Sequence, residues 1–208
     1  MIIGITGLIS SGKDTIADYL VTHKGFKRIS FAGSLKDAIS SVFSWERELL
    51  EGTTKASREW REQVDQWWAD RLGIPHLTPR WILQQWGTDV CRKSFHDDIW
   101  VASVENKLSK SKEDTVITDC RFANEVSGIK RAGGMTIRVS RGPNPAWFNA
   151  AVALNKGPDN PLYAASKAVL EKLNIHASEY SSVGLEYDHY IDNNSTIDAL
   201  HQSISIIL

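Results

Sequence analysis

Cysteine is scarce: only Cys91 and Cys120 occur in 208 residues, so a disulfide framework is excluded and two free thiols in a reducing cytosol are expected. Neither charge is in excess, with 24 Lys and Arg against 25 Asp and Glu. That balance argues against a dedicated nucleic-acid or anionic-membrane binder, which would carry a basic surplus. No apolar run approaches the roughly 18–20 residues that a membrane span needs. The opening MIIGITGLISSGKDT has no basic residue before its apolar part and no small-residue cleavage site, so no secretory signal is expected there. Internal repeats and low-complexity tracts are missing as well. Tryptophan, in contrast, is abundant at eight residues, and most of these rings are expected to anchor a core or an interface. With 42% apolar and 24% charged residues the chain is not disordered, and its length fits one ordinary domain, with or without a small lid.

Short β-rich runs alternate with helical ones. Met1–Thr6, Lys27–Phe31, Thr115–Thr118, Met135–Ser140 and Tyr187–Ile191 read as strands, the first of them apolar and buried. Between them, helices are expected over Asp14–His23, Ser34–Phe43 (with Leu35, Ala38, Ile39 and Val42 on one stripe), Asn124–Ala132 and Leu162–Leu173. Glu46–Leu72 reads as one or two charged helices carrying Trp60, Trp67 and Trp68, whose default role is a core or dimer seam. Thr78 or Pro79 opens another helix, and Asp97 or Asp98 one that runs to about Leu108. Ser195 with Asp198 suggests a capping box ahead of a terminal helix. Strands separated by helices imply parallel pairing through right-handed crossovers, hence a three-layer α/β fold with a mainly parallel sheet. The expected division is a core of residues 1–43 and 114–208 and a helical insertion over 44–113. The proline- and glycine-rich stretch Arg141–Asn160 leaves that core without periodicity.

The strongest signal is Gly7-Leu8-Ile9-Ser10-Ser11-Gly12-Lys13-Asp14-Thr15, a G-x-x-x-x-G-K loop directly after an apolar strand and at the start of a helix. Glycines let successive backbone N–H groups face phosphate oxygens, and the helix N-terminus adds partial positive charge. Lys13 supplies a mobile ammonium for the β- and γ-phosphates. Asp14 stands where Ser or Thr is common. A carboxylate beside phosphates is unfavourable unless it turns away, caps the helix or meets a cation, so a capping or supporting role is expected. Thr15 is then the hydroxyl that reaches the phosphates or the Mg²⁺ shell.

The strand Thr115–Thr118 delivers Asp119 at its C-terminal end, where ligands of open parallel sheets collect. Asp119 can hold Mg²⁺ through water or position a polar substrate group. Arg121 offers a fork for phosphate or a base edge, and Glu125, one helical turn on, is placed to orient it. A GTPase is disfavoured: Asp119-Cys120-Arg121-Phe122 lacks the D-x-x-G glycine, and Asn155-Lys156-Gly157-Pro158-Asp159 is one residue too long for N-K-x-D.

Taken with Ala32-Gly33-Ser34-Leu35-Lys36-Asp37-Ala38, Trp86-Gly87-Thr88-Asp89, Ile99-Trp100-Val101, Thr118-Asp119-Cys120-Arg121, Arg138-Val139-Ser140-Arg141 and His176-Ala177-Ser178-Glu179, the loop segment Ser11–Thr15 makes the chain resemble the deoxynucleoside monophosphate kinases of T-even-type tailed bacteriophages. The resemblance runs from the first strand to the last helix. It implies the P-loop kinase architecture and transfer of the γ-phosphoryl of ATP to a deoxynucleoside monophosphate. By that resemblance Gly7, Ser10, Ser11, Gly12, Lys13, Asp14, Thr15 and Arg141 would serve ATP, and Thr15 and Asp119 the Mg²⁺. Lys36 would face the monophosphate. Arg80 and Gln84 would contact its phosphate or base, Gly87, Thr88 and Asp89 would complete the pocket, and Trp100 would be an aromatic wall. Asp119, Arg121 and Glu125 would line the acceptor site, with Lys13 and Arg121 as the catalytic cations. It departs from some relatives in having Ile9 and Ser10 where they place basic residues in the loop.

Phosphoryl transfer between phosphates needs no general base, so His176 is expected to be a hydrogen-bonded loop residue. The kinase must exclude water, and residues 141–176 are the candidate lid. The implied partners are small nucleotides, with no nucleic acid and no membrane; a homodimer stays open, and the expected location is the cytoplasm, that of the host if phage-encoded. The rivals are another small-metabolite P-loop kinase, of the adenylate-kinase or dephospho-coenzyme-A-kinase type, and an ATP-binding regulatory module.

Overall fold

The computed structural model describes all of residues 1–208. The chain divides into two compact units, Met1–Ser30 with Glu105–Leu208, and Phe31–Val104. The elements follow in order: β1 (Ile2–Thr6), α1 (Lys13–Lys24), β2 (Lys27–Ile29), α2 (Gly33–Phe43), α3 (Arg47–Glu51), α4 (Lys55–Arg61), α5 (Gln66–Leu72) and α6 (Pro79–Gln84), which continues as a π-helical segment (Gln85–Lys93). Then come α7 (Ile99–Ser109), β3 (Thr115–Ile117), α8 (Ala123–Arg131), β4 (Met135–Ser140), α9 (Phe148–Asn155), α10 (Tyr163–Lys172), α11 (Ala177–Tyr180), β5 (His189–Asp192) and α12 (Ile197–Ile207). No helix is long and apolar enough to cross a membrane.

The first unit is built on a five-stranded sheet in the order β2-β3-β1-β4-β5, every pair parallel. Alternation along β1 sets the layers. Ile3 and Ile5 join Ile16, Ala17 and Leu20 of α1 and Leu200 and Ile204 of α12 in one buried cluster. Gly4 faces the other way, where an added Cβ would lie 2.9 Å from Ile129 of α8. The three-layer α/β expectation and all five strands are found. Lys27 and Arg28 on the edge strand β2 are a charged edge that resists pairing with another chain.

Several local expectations need correction. The terminal helix is capped by Thr196, whose side chain accepts from Ala199 N, and not by Ser195. Arg141–Asn160 is not wholly irregular: it contains α9, which packs with α10 around Ala151, Leu170 and Val183, and Leu8 of the glycine loop leans on that cluster. The short, alanine-rich α9 left no charged face to mark its period.

The second unit is helical and has its own core of Leu35, Ile39, Phe43, Trp45, Leu50, Leu77, Ile82 and Trp100. It takes in α2, so it begins before residue 44, and Glu105 onward falls in the sheet unit. On α2 the buried stripe is Leu35, Ile39 and Phe43, while Ala38 and Val42 are exposed. Glu46–Leu72 forms three helices rather than one or two. Gly52 ends α3 with φ +68°, Thr54 and Ser57 form a capping box for α4, and the Asp65 carboxylate accepts from Trp68 N to start α5. Trp60 therefore lies on a different helix from Trp67 and Trp68. Trp60 stacks edge-on against Trp45 and Trp68 against Phe43, whereas Trp67 is exposed.

A candidate phosphate-transfer site

β1 ends in a loop whose path requires glycine at two positions, Gly7 and Gly12. A Cβ on Gly7 would lie 2.3 Å from the Val139 carbonyl oxygen. Gly12, at φ +105°, is the N-cap of α1 and offers no side chain to its first turn. A Cβ there would lie 2.3 Å from Asn193 Nδ2, which instead donates to the Ser11 carbonyl at 2.9 Å. Asn193, just past the edge strand β5, thus braces the loop. Ser11 is buried, Ser10 is exposed at φ 62°, and Ile9 is exposed at the tip.

Lys13 folds back over this loop, its ammonium donating to the Gly7 carbonyl at 2.9 Å and the Leu8 carbonyl at 2.8 Å. Burial above all lowers its pKa; Arg121 and Arg138 push the same way, against Asp14 and Glu179. Both acceptors of the ammonium are neutral, so a phosphate oxygen can replace them with a charge-assisted bond. Thr15 is half-buried in the first turn of α1. Asp14 does not cap the helix, because the cap position belongs to Gly12. Its carboxylate meets a cation instead, the Arg28 guanidinium.

A cavity beside the loop is lined by Gly7, Lys13, Thr118, Arg121, Glu179 and Ser182. Arg121 Nη1 lies 3.2 Å from Glu179 Oε1. Glu125 does not orient the Arg121 guanidinium. It is buried, and its Oε2 accepts from the backbone N–H groups of Arg121, at 2.7 Å, and Phe122, at 3.1 Å, which fixes the turn between β3 and α8. Replacing Glu125 by Ala strands those two donors. The expected cost is about 2–4 kcal/mol of stability, read as a lower midpoint in urea unfolding. Asp119 is half-buried at the end of β3. The neighbouring Cys120 is buried, which raises its thiol well above the usual range and keeps it inert. His176 is a capping residue, its Nδ1 accepting from Ser178 N at 3.2 Å. Asn155 donates to the carbonyls of Tyr180 and Val183 at 2.7 and 2.8 Å, so its amide has a structural task. Arg141 is exposed immediately after β4.

Asn193 and Arg28 belong to no motif, and Arg138 lies in the segment Arg138–Arg141 without a role assigned from sequence. Arg138 stands on β4 opposite Thr6, its guanidinium 5.5 Å from the Phe148 ring centre and 5.9 Å from that of Tyr187. A charged residue between Ile137 and Val139 on an interior strand is the signal that marks it.

The other expected acceptor residues lie in the helical unit. Lys36 Nζ is 2.5 Å from Glu51 Oε2, and Arg80 Nε is 3.5 Å from Glu62 Oε1. Gln84 is exposed and Thr88 half-buried. Gly87 is buried against Leu35, and Asp89 Oδ1 is 2.6 Å from Lys93 Nζ. Trp100 is 9% exposed, and its indole N–H donates to the Gly87 carbonyl at 2.9 Å, so the ring belongs mainly to the core of this unit.

No protein-family model matches the chain. A protein of Acanthamoeba polyphaga mimivirus, provisionally named a deoxynucleotide monophosphate kinase, is 33% identical over 155 residues, which cover 68% of this chain and 74% of that one. The deoxynucleoside-5'-monophosphate kinase of Escherichia phage T5 is 40% identical over 57 residues, covering 27% of this chain and 23% of the phage protein. Among solved structures, shikimate kinase from Aquifex aeolicus aligns over 100% of this chain and 95% of its own, with a TM-score of 0.47 and 15% identity.

Proposed function

The chain belongs to the deoxynucleotide monophosphate kinase family, and from that premise we propose that it transfers the γ-phosphoryl group of ATP to a deoxynucleoside monophosphate, releasing ADP and a deoxynucleoside diphosphate. The observation that carries this reading for the chain itself is the Lys13 ammonium, desolvated over a glycine cradle and sharing one cavity with Arg121.

The loop Gly7–Thr15 takes the donor. Phosphate oxygens replace the two loop carbonyls at Lys13 and accept from the backbone N–H groups at the start of α1. The hydroxyl of Thr15 and the carboxylate of Asp119 are hard oxygen donors that suit Mg²⁺, which keeps most of its shell as water and phosphate oxygen. When bound, that ion neutralises charge on the β- and γ-phosphates. Arg121 is assigned to the transferring group and the acceptor phosphate, its fork matching phosphate oxygens. Lys36, Arg80, Gln84, Gly87, Thr88, Asp89 and Trp100 are the acceptor-side candidates of the helical unit. The nucleophile is already an anionic phosphate oxygen, so the task is to align it and offset charge, not to remove a proton. Arg121→Ala is expected to raise the KM for the acceptor and lower kcat about 10²-fold, with ATP affinity nearly unchanged. A loss confined to ATP affinity would place Arg121 on the donor instead.

Water competes as acceptor, and residues 141–176, which include α9 and α10, are assigned to the lid that excludes it. Hydrogen exchange over residues 141–160 should slow when both nucleotides are bound. Equal rates with and without them would remove the lid. The function as a whole is tested by ADP release across a panel of nucleoside monophosphates. Turnover is expected with deoxynucleotides. Turnover only with a different small metabolite would assign another kinase activity, and slow ADP release independent of any acceptor would assign a regulatory module.

A further inference from the structure

Arg28 has no part in the phosphate grip described above, yet it stands beside it. From the edge strand β2 its Nη2 donates to Thr118 Oγ1 at 2.8 Å and to the Asp14 carboxylate, while Nη1 reaches Asp18 Oδ1 at 3.3 Å. One guanidinium therefore ties the first two turns of α1 to the end of β3. The Asp14 side chain is 72% exposed and that of Arg28 38% exposed. An ion pair so open to water is screened and adds little to folding stability. Its larger consequence is where it places a negative charge.

Asp14 directly follows Lys13 and occupies the position at which such loops commonly carry a hydroxyl. Its field already acts on the Lys13 ammonium. An uncompensated carboxylate there would attract that ammonium and repel the incoming triphosphate. Arg28, whose guanidinium meets that carboxylate at contact distance, offsets both effects, and the Lys13 ammonium donates to two neutral carbonyls rather than to Asp14.

We infer that Arg28 is a positioning residue for the phosphate grip: by holding and neutralising Asp14 it leaves Lys13 free for the donor's phosphates. This rests on the assignment of the Gly7–Thr15 loop to ATP. It also explains how this chain carries an acid in a place where phosphate chemistry disfavours one. The acid comes with its own counter-charge, supplied from a neighbouring strand and locked there by the Thr118 hydroxyl.

The test is a thermodynamic cycle over wild type, Arg28→Met, Asp14→Asn and the double variant. Affinities for ATP and for inorganic tripolyphosphate are read by titration calorimetry, and folding by circular dichroism. Arg28→Met should weaken both ligands at least tenfold in the wild-type background and less than threefold in the Asp14→Asn background. Arg28→Lys, which keeps the charge, should stay within threefold of wild type. Should Arg28→Met fail to fold, Arg28→Gln takes its place in the cycle with the same expected losses, and an equal loss in both Asp14 backgrounds, or none in either, overturns the inference. An Arg28→Met variant within threefold of wild type overturns it, and so does an equal loss in both backgrounds, because Arg28 would then act on the ligand or the fold without Asp14. If the wild-type protein binds neither ATP nor tripolyphosphate, the donor-site assignment itself falls, an outcome distinct from wild-type binding that Arg28→Met leaves intact.

Discussion

Lys13→Ala is expected to lower kcat by about 10²–10³-fold or more, as removal of a preorganised cation or donor at a reacting centre does, while leaving the fold in place. The side chain makes its bonds to carbonyls of its own loop, Gly7 and Leu8, and lies in none of the apolar clusters that hold the sheet. Its burial disfavours the charged form, which is why its pKa is lowered. A half-buried ammonium satisfied only by neutral acceptors adds little to stability, and its free energy is realised when an anion arrives. The unfolding midpoint should therefore move by no more than about 1 kcal/mol equivalent, while single-turnover rates fall steeply. Near-normal turnover would refute the role of Lys13. A variant that unfolds would show that the lysine supports the loop rather than the reaction.

Gly7→Ala should produce the opposite pattern, a loss of both stability and ATP binding. The new methyl would sit 2.3 Å from the Val139 carbonyl oxygen and 2.5 Å from Ser11 Oγ. The first of these is backbone in the middle of the sheet and has no rotamer with which to retreat. Strand β4 or the loop must shift, and the overpacking costs about 3 kcal/mol. Displaced loop N–H groups no longer converge on one phosphate, so ATP affinity should fall below what calorimetry detects. Wild-type affinity in this variant would mean that the loop does not need its observed path to hold a nucleotide.

The sheet was readable in the chain because buried parallel strands appear as short apolar runs bounded by helices. β1, β3 and β4 are of this kind, and β1 and β3 deliver the residues of greatest interest at their ends: the glycine loop and Asp119–Arg121. The local glycine-loop motif was legible for the same reason, since everything it needs lies within nine residues. What could not be read came from long-range convergence. Asn193 reaches the loop from the last third of the chain, and Glu179 comes from there to line the cavity beside it. Arg28 meets Asp14 through a strand pairing that sequence spacing does not encode. The three helices of residues 47–72 read as fewer in the sequence because their breaks, at Gly52 and Asp65, are single capping positions inside a charged stretch. The spacing of Glu125 from Arg121 does not reveal which part of Arg121 it meets: one turn of helix brings its carboxylate to the backbone N–H groups of Arg121 and Phe122.

The central claim is that the terminal phosphoryl of ATP moves to a nucleotide and not to water. The direct measurement is to incubate the protein with ATP labelled at its γ-phosphorus and a deoxynucleoside monophosphate, then to identify the molecule that carries the label. The account predicts label in the deoxynucleoside diphosphate, formed one for one with ADP and lost when Lys13 is replaced by Ala. Label found only in free orthophosphate, or left in ATP whichever deoxynucleotide is offered, would contradict it.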